Sequence, residues 1–364
     1  MLYFLLISIV FLITSCTKEP LDLNKTLVEK EGLYYKKDTK KLYSGPIFTN
    51  YDNDVIKEEG IYKKGKKDGK FVFWYDNGNM EKSGIYKENK LNGKWIYWND
   101  DGQKFMEETY ENNVKNGQFI LYNEGKKIRE GIYKNGKKSG LFTEWENDVK
   151  IKEGSYNQDL ITGKWTYWDE IGNKYLAENY LNGEKNGIFT EWYSNGQKSI
   201  EQYWDKGKKN GLFVEWYESG HKKQEGNLGD FNYKYGKWTY WDEEGKKYLE
   251  ENYQNGEKHG LLYGWYQNGV KSLEEMYKNG KKNGYVHYWY ENGTKKQSGY
   301  FLNGLKNGKM IYWYVDGEKW LEKNYKNGSK NGLMVGYYPN GRRSIEQFWK
   351  KDKLDGSFIE WYGN

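Results

Sequence analysis

A glycine returns every 23 to 25 residues through most of the chain, at positions 45, 69, 93, 117, 140, 163, 187, 211, 236, 260, 284, 308, 332 and 356. A period in that range marks a repeat array, in which each unit buries its surface against its neighbours rather than in one globular core. The stretch from Gly163 to Gly187, GKWTYWDEIGNKYLAENYLNGEKNG, stands for the rest. Its two runs KWTYW and KYLAENYL are rich in strand-favouring residues, and each is followed by turn residues. One unit therefore reads as one β-hairpin with its link to the next.

Other columns keep step with the glycine. Position plus five is Trp in eleven copies and Tyr in two, and position minus seven before the next glycine is aromatic in twelve. Position minus four is Gly, Asn or Asp in every copy but the first, as a turn residue with positive φ should be. Minus eleven is Leu, Ile or Met in seven copies and shares strand parity with minus seven, while minus ten is Glu in nine copies and falls on the other face. The second strand of each hairpin is thus half buried. An isolated hairpin is marginal in water, so stability belongs to the array. At ~4.8 Å between strands, fourteen hairpins would extend roughly 130 Å.

A larger period is superposed. SIEQYWDKGKKNGLFVEWY (199–217), SLEEMYKNGKKNGYVHYWY (272–290) and SIEQFWKKDKLDGSFIEWY (344–362) match one another better than their neighbours. Three hairpins therefore form a block of about 72 residues, the pattern of growth by duplication.

The chain opens with LYFLLISIVFLI, an apolar run too short to span a bilayer and suited to the core of a signal peptide. Ile13-Thr14-Ser15-Cys16 follows and resembles a bacterial lipobox, in which cleavage precedes a cysteine that carries lipid. Residues 1–15 read as a lipoprotein signal peptide, 16–40 as a tether and degenerate cap, and 41–364 as the repeat array. The expected location is the bacterial envelope, outside the cytoplasm, with a membrane anchor at Cys16. Cys16 is the only cysteine, which excludes disulfides and cysteine metal sites.

The aromatic hairpins carry W-Y-x-N-G followed by E-x-Y-x-N-G-K-x-N-G. They resemble MORN repeats, in the bacterial variant found in the YwqK family, which is named as antitoxins. The resemblance covers residues 45–364. It implies an all-β, elongated single-layer antiparallel sheet of about fourteen tandem hairpins, used for protein or membrane contacts, and a toxin-neutralising role.

Catalytic motifs are missing: no HExxH, Walker loop or GxSxG occurs, and His221, His259 and His287 lie in different units without a shared register. No enzyme activity, cofactor or metal is expected. With 58 basic and 52 acidic residues and net charge +6, the chain has no overall bias toward nucleic acid. The expected function is a membrane-anchored scaffold that binds a protein partner; the alternative is glycan or cell-wall binding through exposed rings.

Two surfaces are expected to carry that binding. Lys at minus two (Lys67, Lys115, Lys138, Lys185, Lys209, Lys234, Lys258, Lys282, Lys306, Lys330) predicts a basic long edge, opposite turns that hold Asp76, Asp100, Asp169, Glu218 and Glu291. The plus-two row, Phe71, Trp95, Phe119, Phe142, Trp165, Phe189, Phe213, Trp238 and Phe358, is three positions from the plus-five Trp and so on the opposite face. Glu at plus four (Glu144, Glu191, Glu215, Glu360) marks the plus-two face as wet. The plus-five Trp row is therefore expected to be buried with the minus-seven Tyr row, leaving plus two as an exposed apolar strip; a β-bulge that turns both rows inward is the other arrangement.

Overall fold

The computed structural model describes residues 18–363, so the leader and Cys16 lie outside the described residues. Two units are distinguished, one ending at Leu160 and one beginning at Ile161.

In the first unit, the strands Gly45–Asn50, Ile56–Lys63, Lys66–Trp74 and Met80–Lys87 begin a run in which each strand is antiparallel to the one before it. The run continues in chain order to Val149–Asn157. Ahead of it, the short strand Leu21–Asp22, one helical turn Leu23–Thr26 and the hairpin Leu27–Lys30 with Leu33–Lys36 fold onto the first repeats. Leu27 and Tyr43 join Ile47, Tyr62 and Phe71 in one buried cluster, and the Tyr34 ring meets Tyr62 edge-on at 4.9 Å. The second unit repeats the meander from Lys174–Leu181 to Lys353–Glu360. Each unit is thus an open antiparallel sheet of tandem hairpins, and successive turns fall on alternate sides of it. Among the described residues no helix is long and apolar enough to cross a membrane.

The register follows from two devices. In the hairpin turn at Lys64-Gly65, both residues have positive φ, 49° and 79°, which pairs Lys63 with Lys66 and Tyr62 with Lys67. A bulge at the repeat glycine follows: Lys67 pairs with Tyr62 but Phe71 with Gly60, so four steps on one strand match two on the other. Positive φ holds a glycine at this position throughout, and in some repeats space does as well. Gly284 has φ 135°, and a Cβ on it would lie 2.8 Å from the Met276 side chain.

This register reverses the expected faces. Because Phe71 pairs with Gly60, two residues before Tyr62, the plus-two row shares its face with the Tyr row. Phe71, Trp95, Phe142, Trp165 and Trp238 are at most 4% exposed. Phe119, Phe189 and Phe213 are half-buried on the same face, and only Phe358, at 51%, is exposed. Rings interlock edge-on along the row: Phe71 meets Tyr62 and Tyr86 at 5.9 and 5.1 Å, and Tyr86 meets Trp95 at 5.0 Å. The expected apolar strip is therefore core. The plus-five Trp residues lie on the opposite face, half-buried. Neither expected arrangement holds, although the opposition of plus two to plus five does.

Candidate interaction surface

The packed face is closed by its own lysines. Lys67 Nζ lies 4.7, 5.0 and 5.4 Å from the ring centres of Phe71, Phe73 and Tyr86 and 3.0 Å from Glu58. Lys185 lies over Phe189 and Trp204, Lys138 over Phe142 and Tyr156, Lys234 over Trp238, and Lys330 over Trp349. Lys209, Lys258 and Lys306 cover Trp204, Tyr277 and Tyr325. Lys115, Lys185, Lys258 and Lys282 also pair with Glu108, Glu178, Glu251 and Glu275, which are buried two residues before the Tyr row. The two turn sets fall on opposite sides as expected, but the minus-two ammonium groups fold back over aromatic rings, where the π-cloud holds them and, for Lys67, Lys115, Lys185, Lys258 and Lys282, a carboxylate as well.

Burial by itself raises a carboxyl pKa, yet Glu275 is held below its ordinary value because Lys282, Tyr288 and Tyr277 all donate to it. Glu251 is lowered in the same way by Lys258, Tyr253 and Tyr240, against the effect of burial. Burial, then the nearby Glu58, pushes Tyr86 up to about 12.

On the other face a second comb runs. In several hairpins the lysine that starts the second strand lies over the plus-five ring of the next hairpin and pairs with the minus-ten Glu: Lys247 is 4.1 Å from the Trp265 centroid and 3.2 Å from Glu250, and Lys104 is 4.2 Å from Tyr122 and 2.7 Å from Glu107. The Glu row is thus neutralised in place. His287 lies on this face beside Tyr285, while His221 Nδ1 meets the Glu243 carbonyl oxygen at 2.8 Å; the three histidines do not converge. Among the described residues no group of three or more His, Cys, Asp or Glu could hold a metal.

What remains open on this second face is a set of apolar pairs that the sequence columns did not single out. Plus one and minus eight face each other across each hairpin, and in the second unit they are Ile188 with Tyr203, Leu261 with Met276, Tyr285 with Tyr300, and Leu333 with Phe348. Leu212 adds to the first of these. Tyr285 is 69% exposed. Between the clusters the same positions are polar, Lys237 with Asn252 and Lys309 with Asn324. Lys237 pairs with Glu250 at 2.6 Å, and Asn252 Nδ2 donates to the Leu261 carbonyl at 2.6 Å. The 72-residue block thus becomes a surface period, with apolar clusters three hairpins or roughly 29 Å apart at ~4.8 Å per strand. In the first unit the exposed large apolar members of these columns are Ile61, Ile85, Ile132 and Leu141.

The turn side opposite the repeat glycines is tied from hairpin to hairpin. Tyr75, Tyr193, Tyr266 and Tyr290 donate their hydroxyls to the carbonyls of Trp98, Trp216, Trp289 and Trp313, and Asn77, Asn195 and Asn268 donate to the next turn. The Tyr and Asn of the recurring W-Y-x-N-G carry this ladder, which stiffens the sheet behind the clusters.

No family model matches the chain, and no curated protein matches it. Among solved structures, the crystal structure of TcdB2-TccC3-Cdc42 matches with 12% identity and a TM-score of 0.17, over 84% of this chain and 18% of that one. The Photorhabdus luminescens Tc holotoxin pore matches with 10% identity and a TM-score of 0.15, over 89% and 24%. This chain therefore spans less than a quarter of the proteins it matches, and likeness at these scores carries no functional argument.

Proposed function

We propose that this chain is a non-enzymatic repeat lipoprotein, anchored outside the cytoplasm through Cys16, that binds a protein partner on the face bearing the plus-one and minus-eight pairs. The observation that supports this is the row of exposed apolar clusters in the second unit, set at a fixed interval on a hydrogen-bonded sheet; contiguous exposed apolar surface marks interaction sites. The resemblance to MORN repeats of the YwqK antitoxin family extends the reading: the partner is a toxin, neutralised by capture.

Met276→Ser with Tyr285→Ser tests the surface. Crosslinked envelopes from wild type should yield one protein partner, and the double variant should lose it while keeping its melting temperature. Retention of wild type on peptidoglycan or polysaccharide in place of a protein would defeat the reading. The anchor is tested separately by fatty-acid labelling, which should disappear in Cys16→Ser; equal labelling of both would remove the lipoprotein from the proposal.

A further inference from the structure

One turn breaks the repeat. Between Gly211 and Gly236 the spacing lengthens to 25 residues, and the usual two-residue turn ending in Gly, Asn or Asp becomes Gly229-Asp230-Phe231-Asn232-Tyr233. Phe231 sits at φ 59°, ψ 22°, a left-handed conformation that disfavours a bulky residue, and its ring is 82% exposed. Nothing in the packing of the hairpins requires an aromatic side chain there. A strained and solvent-facing ring therefore points to a role outside folding.

Phe231 and Asn232 form one wall of a 260 Å³ cavity completed by Trp204, Gly207, Lys208 and Lys209. Lys209 is the minus-two lysine of its hairpin; where Lys115, Lys185, Lys258 and Lys282 meet a buried Glu, the matching residue here is the neutral Gln202. Among the described residues neither Lys208 nor Lys209 forms an ion pair, and Lys209 lies 5.7 Å from the Trp204 ring centre. Gln202 is 1% exposed and its Oε1 accepts no hydrogen bond; the Nε1 of Trp204, two residues on, donates none. The equivalent pair elsewhere is satisfied internally, Trp349 Nε1 donating to Gln347 Oε1 at 3.2 Å. Two ammonium groups outside any ion pair, an exposed ring and an amide thus line one place.

We propose that this cavity binds an acidic sugar residue, a hexuronate ring of an anionic polysaccharide. Its volume lies just below the ~300 Å³ lower end for small-molecule pockets, which suits a single ring rather than a larger ligand. The carboxylate takes Lys208 and Lys209, the C–H face of the pyranose lies on Phe231, and the hydroxyls meet the Asn232 amide. An aromatic acid would supply the charge and the flat face but leave the Asn232 amide unmatched. This site lies apart from the apolar clusters, and its fate does not depend on the protein-binding reading.

Titration of the full chain with glucuronate, followed by tryptophan fluorescence and ligand-observed NMR, tests it, with glucose, acetate and benzoate as controls. Saturable binding of glucuronate is expected, with glucose and acetate at least about tenfold weaker because each lacks one half of the recognition. Lys208→Ala with Lys209→Ala should abolish the preference over glucose. Phe231→Gly should weaken binding while leaving the melting temperature unchanged or raised, since glycine relieves the positive φ. Three outcomes would each overturn the proposal: no saturable binding by wild type, benzoate binding tighter than glucuronate, or Phe231→Gly binding as wild type does.

Discussion

The hairpins around residues 60–95 and those around 251–288 fill the same sheet positions in opposite ways. In the first, the middle of the packed face alternates glycine with a large ring. A Cβ on Gly60 would stand 2.2 Å from the Phe71 ring, and one on Gly84 2.2 Å from Trp95. In the second, Glu251 and Glu275 occupy the glycine positions, the rings shrink to Leu262 and Val286, and lysine ammonium and tyrosine hydroxyl groups complete the layer. The two solutions conserve volume rather than chemistry. Close packing makes the exchange possible, because a sheet face tolerates any filling that leaves no void and no unpaired polar atom.

The largest effect should come from breaking the glycine solution. Gly84→Val drives the Trp95 indole off the backbone it lies on and should destabilise the first unit by about 3 kcal/mol, read from denaturant unfolding. Adding Trp95→Val should restore part of the loss, since the smaller residue fits the reduced space; no difference between Gly84→Val and wild type would remove the volume argument. Next comes the carboxylate solution. Glu275→Ala leaves Lys282 half-buried beside Tyr288 and should cost about 3 kcal/mol or slightly less, and combining it with Lys282→Met should recover most of that.

Acid should separate the two regions. Glu251 and Glu275 titrate below their ordinary value of 4.5 in the folded chain, so their contribution is complete above that pH and is lost as pH falls through the lowered values. Hydrogen exchange at pH 3 against pH 6 should therefore show the 251–288 hairpins opening well before those at 60–95. Equal loss of protection in both regions would contradict this order. The smallest effect belongs to the turn ladder common to both: Tyr266→Phe removes one hydroxyl donated to the Trp289 carbonyl and should cost about 1 kcal/mol in thermal unfolding.

Much of this was legible in the residues. The hairpin unit, its turns and the antiparallel meander follow from the glycine period and the Asn or Gly at minus four. So did the parity within each strand. The faces are not legible in the same way, because Glu at plus four reads as a mark of solvent. Glu144 and Glu215 in fact sit half-buried at the margin of the packed face, tied to Arg129 and Lys223. The turn itself held the answer: a two-residue turn with both φ positive pairs minus seven with minus two, which puts plus two on the Tyr face. The lysine column hides its role for another reason. A lysine in a sequence carries only a charge, whereas its four-carbon stem lets it cross a strand and lie on a ring.

The sequence by itself determined the repeat, the strand order and the place of each turn, because these depend on interactions a few residues apart. Only the tertiary structure decided which rows are core, where the charges come to rest and which apolar pairs stay open. Those outcomes depend on the bulge at each repeat glycine and on side chains from the next hairpin, whose rings and ammonium groups cover one face and leave the plus-one and minus-eight pairs of the other uncovered.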